Sequence, residues 1–356
     1  MEKRKEINDK LVRWIVEKVK QEYADDISLV LIYGSYVNGT ANSKSDVDCY
    51  FIPKTERGYE LSMGFIINGV GYDIFPMSWE RVEKIACLQE CLLPLVGDAE
   101  ILYANSAGDV ERFRAIQARL QCNLSDDGYV REKAEEKCRE AGRLCSMLER
   151  ALTASEARKT AGTIIMTLAD AVAVYQHKYY HFGLKRQFED LQDLPDVPQE
   201  IVQDYRCVVE ADTGDEAAAW AKKMLRDVSC HLGIAVPLQR APDRAGSDVG
   251  RINASQLAGL YEEISSTFNK IYVCCETGNA VLAFLSAVCL QRELDEAREA
   301  GCPPFALLSD FNWRDLDGLS AAAQRIEKEL VLLIEENGGY IHRYCSFEAF
   351  ELQNAG

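Results

Sequence analysis

The sequence predicts an α+β protein: a small N-terminal mixed-sheet domain followed by a long, all-helical C-terminal region. Three observations predict it. Short apolar runs bounded by turn residues are confined to the first 108 residues. Beyond them apolar positions recur at helical spacing over long stretches. The 356-residue chain is also long for one domain and comfortable for two. The expected divisions are 1–108 for the mixed sheet, 109–233 for a helical bundle and 253–356 for a further helical subdomain.

The elements follow in order. Ile7, Leu11, Trp14, Ile15 and Val19 share one face of a helix over 5–24. Leu29 to Tyr33 is a continuous apolar run of the kind a buried strand shows. A Gly- and Ser-rich turn region spans 34–45, and Val47 to Ile52 reads as a second strand stopped by Pro53. Phe65-Ile66-Ile67 and Val70 to Phe75 flank Asn68-Gly69, whose residues accept the positive φ angles of a two-residue hairpin turn. Ser78 suits the cap of a helix from Trp79 to Leu88, and Glu100 to Tyr103 reads as a last strand. Later helices are expected near 129–153, 155–181, 198–211, 214–232, 254–273, 279–299 and 318–336. Two Pro and two Gly break the pattern over 234–252, which reads as a loop.

The formal charge is −17, and most of the acidic excess lies after residue 108. Such a balance argues against a nucleic-acid partner, which needs a cationic face for phosphates. It suits a cationic or neutral small molecule. Of the 13 Cys, none forms a Cys-x-x-Cys pair, and only His177, His181, His231 and His342 could complete a zinc site. Cys49 and Cys289 sit in apolar runs, as free buried thiols do. No apolar run reaches the ~20 residues of a membrane span, and the first ten residues carry no signal-peptide core. The expected location is the cytoplasm, with no membrane partner; the oligomeric state is left open.

The stretch that carries chemistry runs from Tyr33 to Asp48. Gly34, lacking Cβ, lets a backbone come close to a ligand. Ser35 follows with a hydroxyl and an N–H, where the start of a helix would present unpaired N–H groups to an anion. Asp46 and Asp48 stand two apart, so on a strand they share a face. Two such carboxylates repel without a cation, and Mg²⁺ takes a few carboxylate oxygens and completes its shell with water and phosphates. Asp73 lies among apolar residues of the expected hairpin, a costly place unless it is paired or metal-bound. It is a candidate second metal ligand or general base.

Gly34-Ser35, then ten residues, then Asp46-x-Asp48, then a later strand Asp73, resembles the nucleotidyltransferase superfamily of DNA polymerase β. The small N-terminal domain with a long helical remainder resembles the antibiotic nucleotidyltransferases, the kanamycin, streptomycin and lincosamide enzymes among them. The resemblance covers residues 33–73 in motif and 25–108 in domain. It implies that Gly34 and Ser35 bind the β- and γ-phosphates of a nucleoside triphosphate. It implies further that Asp46 and Asp48 hold Mg²⁺ and that Asp73 completes the acidic triad. An acceptor hydroxyl would then attack the α-phosphorus and pyrophosphate would leave, with ATP as the co-substrate and AMP the group transferred. In some of these enzymes the helical part supplies a carboxylate for the acceptor and a Lys for the triphosphate. Asp170 and Lys185 are the candidates here, against the ordinary roles of a packing Asp and a favourable charge at a helix end. His177 and His181, four apart on the expected helix 155–181, lack a third metal ligand.

The expected function is transfer of AMP to a hydroxyl of a small acceptor, with an aminoglycoside-like antibiotic suited to the acidic charge and a lincosamide or another metabolite equally open. A protein-adenylylating regulator of the minimal nucleotidyltransferase type and a nucleotide-binding module without turnover are the alternatives.

Overall fold

The computed structural model describes residues 2–39, 46–151, 153–236 and 250–354. In chain order its first elements are α1 (Glu2–Glu22), β1 (Ile27–Tyr33), α2 (Gly34–Val37), β2 (Asp48–Pro53), β3 (Met63–Ile67), β4 (Val70–Pro76), α3 (Trp79–Ala86), α4 (Pro94–Gly97) and β5 (Glu100–Ala104). Helices then dominate: α5 (Ala107–Leu124), α6 (Asp127–Leu148), α7 (Ala154–Tyr175), α8 (Gln187–Asp193), α9 (Gln199–Val209), α10 (Gly214–Leu232), α11 (Ala254–Thr277), α12 (Ala280–Glu296), α13 (Asp317–Glu336) and, after β6 (Arg343–Tyr344), α14 (Phe347–Asn354). The chain is thus α+β, a mixed sheet followed by a mostly helical region. Among the described residues no helix is long and apolar enough to cross a membrane.

Two compact units form. The first comprises Met1–Asn123, Ala258–Asn269 and Gly339–Gly356; the second comprises Leu124–Leu257 and Lys270–Gly338. The sheet belongs to the first, in the order β5-β1-β2-β4-β3-β6. β1 runs antiparallel to both β2 and β5, β2 and β4 are parallel, and β3 is antiparallel to β4 and parallel to β6. Asn68 and Gly69 take φ of 51° and 73°, the mirror-image turn geometry that Asn-Gly favours in a β3–β4 hairpin.

Strand periodicity sorts the two faces. Val30, Ile32, Cys49, Phe51, Phe65, Ile67, Tyr72 and Ile74 are buried in one core with Leu11, Ile15 and Val19 of α1. Phe350 of α14 joins that core, stacked on Phe65 with ring centroids 4.3 Å apart. The alternate residues, Asp48 and Tyr50 on β2 and Asp73 and Phe75 on β4, therefore occupy the opposite face. There α11 approaches closely. A Cβ on Gly64 would lie 3.0 Å from Glu262 Cβ, and one on Gly71 would overlap Ser265 Oγ. Both glycines are small so that α11 can lie on the sheet.

In the second unit α7 packs against α6, α10 and α12, and Gly162 admits Val288 and Phe284 of α12. The helix expected over 155–181 ends at Tyr175, because His177 turns to φ 62° and its Nδ1 bonds the Leu124 carbonyl at 2.6 Å. His177 and His181 therefore do not share a helix. α5 and β6 fall where no helix and no strand had been expected. The 234–252 loop lies mostly on residues 237–249, outside the described residues, as do residues 40–45 of the Gly- and Ser-rich stretch.

Candidate active site

The site is built on one row across the sheet. Tyr33, the last residue of β1, pairs with Asp48, the first of β2. The parallel register of Cys49 with Ile74 sets Asp48 level with Asp73 on β4. Asp73 in turn pairs with Gly64 on β3. Side chains level with one another on adjacent strands emerge on the same face, so the carboxylates of Asp48 and Asp73 stand side by side. Gly34 follows Tyr33 directly, at φ 73°, and a Cβ there would overlap Asp48 Oδ2. Two independent constraints, the left-handed angle and the space taken by the carboxylate, thus reserve this position for glycine.

The electrostatics gather the same residues. Burial raises the Tyr33 phenol well above its ordinary range, and the negative charges of Asp48, Asp46 and Asp73 add to the shift in that order. Asp73 itself is pushed up to about 7, first by burial, then by the charges of Glu263 and Asp46. Its surroundings explain the burial: the next row on this face is Tyr50 and Phe75, rings stacked 5.9 Å apart, and Tyr50 Oη donates to the Leu95 carbonyl at 2.6 Å. A divalent cation would reverse these shifts by favouring the ionised carboxylates.

The donor set suits such an ion. Among the described residues no three Asp, Glu, His or Cys side chains already form a cation cage. Mg²⁺, however, is usually held by one or two carboxylates and fills its shell from water and phosphate. Asp48 and Asp73, with Asp46 close enough to act on Asp73, offer that kind of open, oxygen-only site.

Glu263 is a site neighbour that the sequence did not reveal. It lies on α11, nearly two hundred positions from Asp73, and carboxylates on a polar helix face are ordinary. Its neighbour Glu262 is buried and accepts from the main-chain N–H of His342 at 2.6 Å and contacts His342 Nδ1 at 2.8 Å.

Asp170 and Lys185 belong to the second unit. Asp170 is half-buried on α7 and accepts from Gln187 Nε2 at 3.1 Å, while Gln187 Oε1 accepts from Tyr205 Oη at 3.0 Å. Its charge adds to the burial that raises the phenols of Tyr180 and Tyr205. Lys185 lies in a short 3-10 turn, Gly183–Lys185.

No curated protein matches the chain. Residues 12–99, from α1 to the eve of β5, match the family model of the nucleotidyltransferase domain, which supports nucleotidyl transfer, a transferase reaction, as the general chemistry of this protein.

Proposed function

We propose that this protein transfers AMP from Mg²⁺-bound ATP to a hydroxyl of a small acceptor. The observation that carries the reading is the side-by-side placement of Asp48 and Asp73 on parallel strands, with Gly34 against Asp48, inside a nucleotidyltransferase domain. Asp46, Asp48 and Asp73 would hold Mg²⁺, which when bound neutralises charge on the phosphate oxygens. The chain's own part is alignment. The turn at Gly34-Ser35 would receive the triphosphate, and the carboxylate row on the sheet would set where the α-phosphorus lies. Asp170 and Lys185 are the second unit's candidates for the acceptor and the triphosphate. The charge of −17 favours a cationic acceptor, an aminoglycoside-like polycation being the first to try.

The test is incubation with α-labelled ATP, Mg²⁺ and a panel of hydroxylated acceptors, aminoglycosides and lincosamides included. Label is expected on a small product with release of pyrophosphate. Asp48→Asn is expected to lower the rate at least about 100-fold, since it removes a charged group from the reacting centre. Label on no acceptor, or a rate untouched by Asp48→Asn and Asp46→Asn alike, would refute the proposal.

A further inference from the structure

We infer that Asn8 and Asp9, consecutive residues of α1, are positioning residues for this site: Asp9 holds the Gly34–Val37 turn through Tyr36, and Asn8 holds the main chain at Asp46. The inference rests on the reading of Asp46 as an active-site carboxylate. Neither residue lies within the stretch 12–99 that matches the nucleotidyltransferase domain.

The geometry is a two-pronged tie. Tyr36 Oη donates to Asp9 Oδ1 at 2.5 Å. Asn8 Nδ2 donates to the Asp46 carbonyl at 3.4 Å, and Asn8 Oδ1 accepts from Tyr72 Oη at 2.8 Å. Arg4 Nη1 donates to the same Tyr72 oxygen at 3.0 Å. The chemistry fixes the amide's orientation. A carbonyl can only accept, so the NH₂ end must face Asp46. Arg4 can only donate, so the Tyr72 proton is free to go to Asn8 Oδ1.

Asn8 is 1% exposed on the face of α1 that buries Leu11, Ile15 and Val19. An apolar residue would pack there without the desolvation cost of an amide, which is recovered only when both ends are bonded. Both ends are bonded, and their partners are informative. One is Asp46. The other is Tyr72, the residue before Asp73. α1 covers the sheet face opposite the carboxylates, so Asn8 ties from behind the main chain at Asp46, just before β2, to β4 beside Asp73. Asp9, the next residue, does the same for the turn that begins at Gly34.

The experiment uses the full chain and four measurements: Mn²⁺ affinity with ATP present, kcat, KM for ATP and melting temperature. Asn8→Leu keeps the branched outline of the side chain and removes both bonds. Asp9→Ala and Tyr36→Phe each remove the other tie. Each is expected to weaken Mn²⁺·ATP binding or lower kcat about tenfold, the effect of deleting one or two hydrogen bonds at a preorganised site. Tyr36→Phe combined with Asp9→Ala should cost no more than either alone, because both cut one bond. Asp9→Asn, which retains an acceptor, should recover most of what Asp9→Ala loses. Lys10→Met, which cuts the Lys10 pairs with Glu6 one turn earlier on α1 and with Glu348 of α14, should leave Mn²⁺·ATP binding and kcat at the wild-type level.

Variants that melt earlier but bind Mn²⁺·ATP and turn over like wild type would overturn the inference, leaving α1 as packing alone. If Asn8→Leu does not fold, Tyr36→Phe, which deletes a single hydroxyl, decides by the same criterion. Wild-type protein that binds no Mn²⁺ with ATP would instead overturn the reading of the site, and the inference with it.

Discussion

Asp73 is held on a sheet face beside aromatic rings and two other negative charges, and its proton affinity records the strain. The native state keeps the Asp73 proton up to about pH 7, whereas an unfolded chain releases it near the ordinary value of 3.8. Between those two values the native state binds more protons than the unfolded state, so stability falls as the pH rises. The contribution is fully present below the unfolded value and lost above about 7. For a half-buried group, water screening reduces the cost to about 2 kcal/mol. Urea denaturation at pH 5 and pH 8 should show wild type losing about 1 kcal/mol more than Asp73→Asn across the interval, the remainder having been lost between 3.8 and 5. Mg²⁺ at pH 8 should restore the loss in wild type and leave Asp73→Asn unmoved. Equal losses in both proteins would mean that Asp73 is ionised at both pH values and that its neighbours do not press on it.

At the scale of elements, α11 sits where it does because two strand residues have no side chain. A Cβ on Gly71 would overlap Ser265 Oγ and come within 2.8 Å of the Glu262 carbonyl, a main-chain group that cannot swing aside. Gly71→Ala should therefore lift α11 from β4 and cost about 1–3 kcal/mol, as overpacking does. It should also move Glu263 away from Asp73 and lower the Asp73 pKa, which a shifted pH dependence of unfolding would register. Unchanged stability would show that α11 is not seated on that strand. The same contact explains what the sequence could and could not tell. Local chemistry was legible: the Asn68-Gly69 turn and the Ser78 cap that accepts from Arg81 N–H at 3.1 Å lie within a few residues of the structure they specify, whereas Asp46, expected to share a strand face with Asp48, precedes β2. α5 was not, because its buried side is a thin line of Phe113, Ile116, Leu120 and Leu124 on an otherwise polar helix. Neither was β6, whose two residues become a strand only because β3 offers an edge. Glu263 fell in the same class, an acid that acquires meaning from a strand far away in sequence.

The first unit as a whole is made from three separate stretches of chain, and its stability depends on the last. Gly339–Gly356 returns to supply β6 at the sheet edge and α14 against α1. Phe350 is 1% exposed, stacked on Phe65 and set edge-on to Trp14 at 4.8 Å. Phe347 is buried beside it, and Lys10 Nζ meets Glu348 Oε1 at 2.9 Å. The exposed ion pair adds little, whereas truncating a buried Phe costs about 3–5 kcal/mol. That is a large share of the roughly 5–15 kcal/mol by which a whole domain is typically stable. Phe350→Ala should accordingly lower the melting temperature of the sheet-bearing unit by several degrees, with Trp14 fluorescence reporting the change. A chain ending at Gly338 loses Phe347, Phe350, Tyr344 and the β6 pairing together, and strands β3 and β4 then expose one side of their core. It should lose the Trp14 signal of the native state and the binding of Mn²⁺·ATP with it, although every carboxylate of the candidate site is still present. A truncated chain that kept both would show that the sheet stands without its final stretch, and the dependence argued from Phe350 would fail.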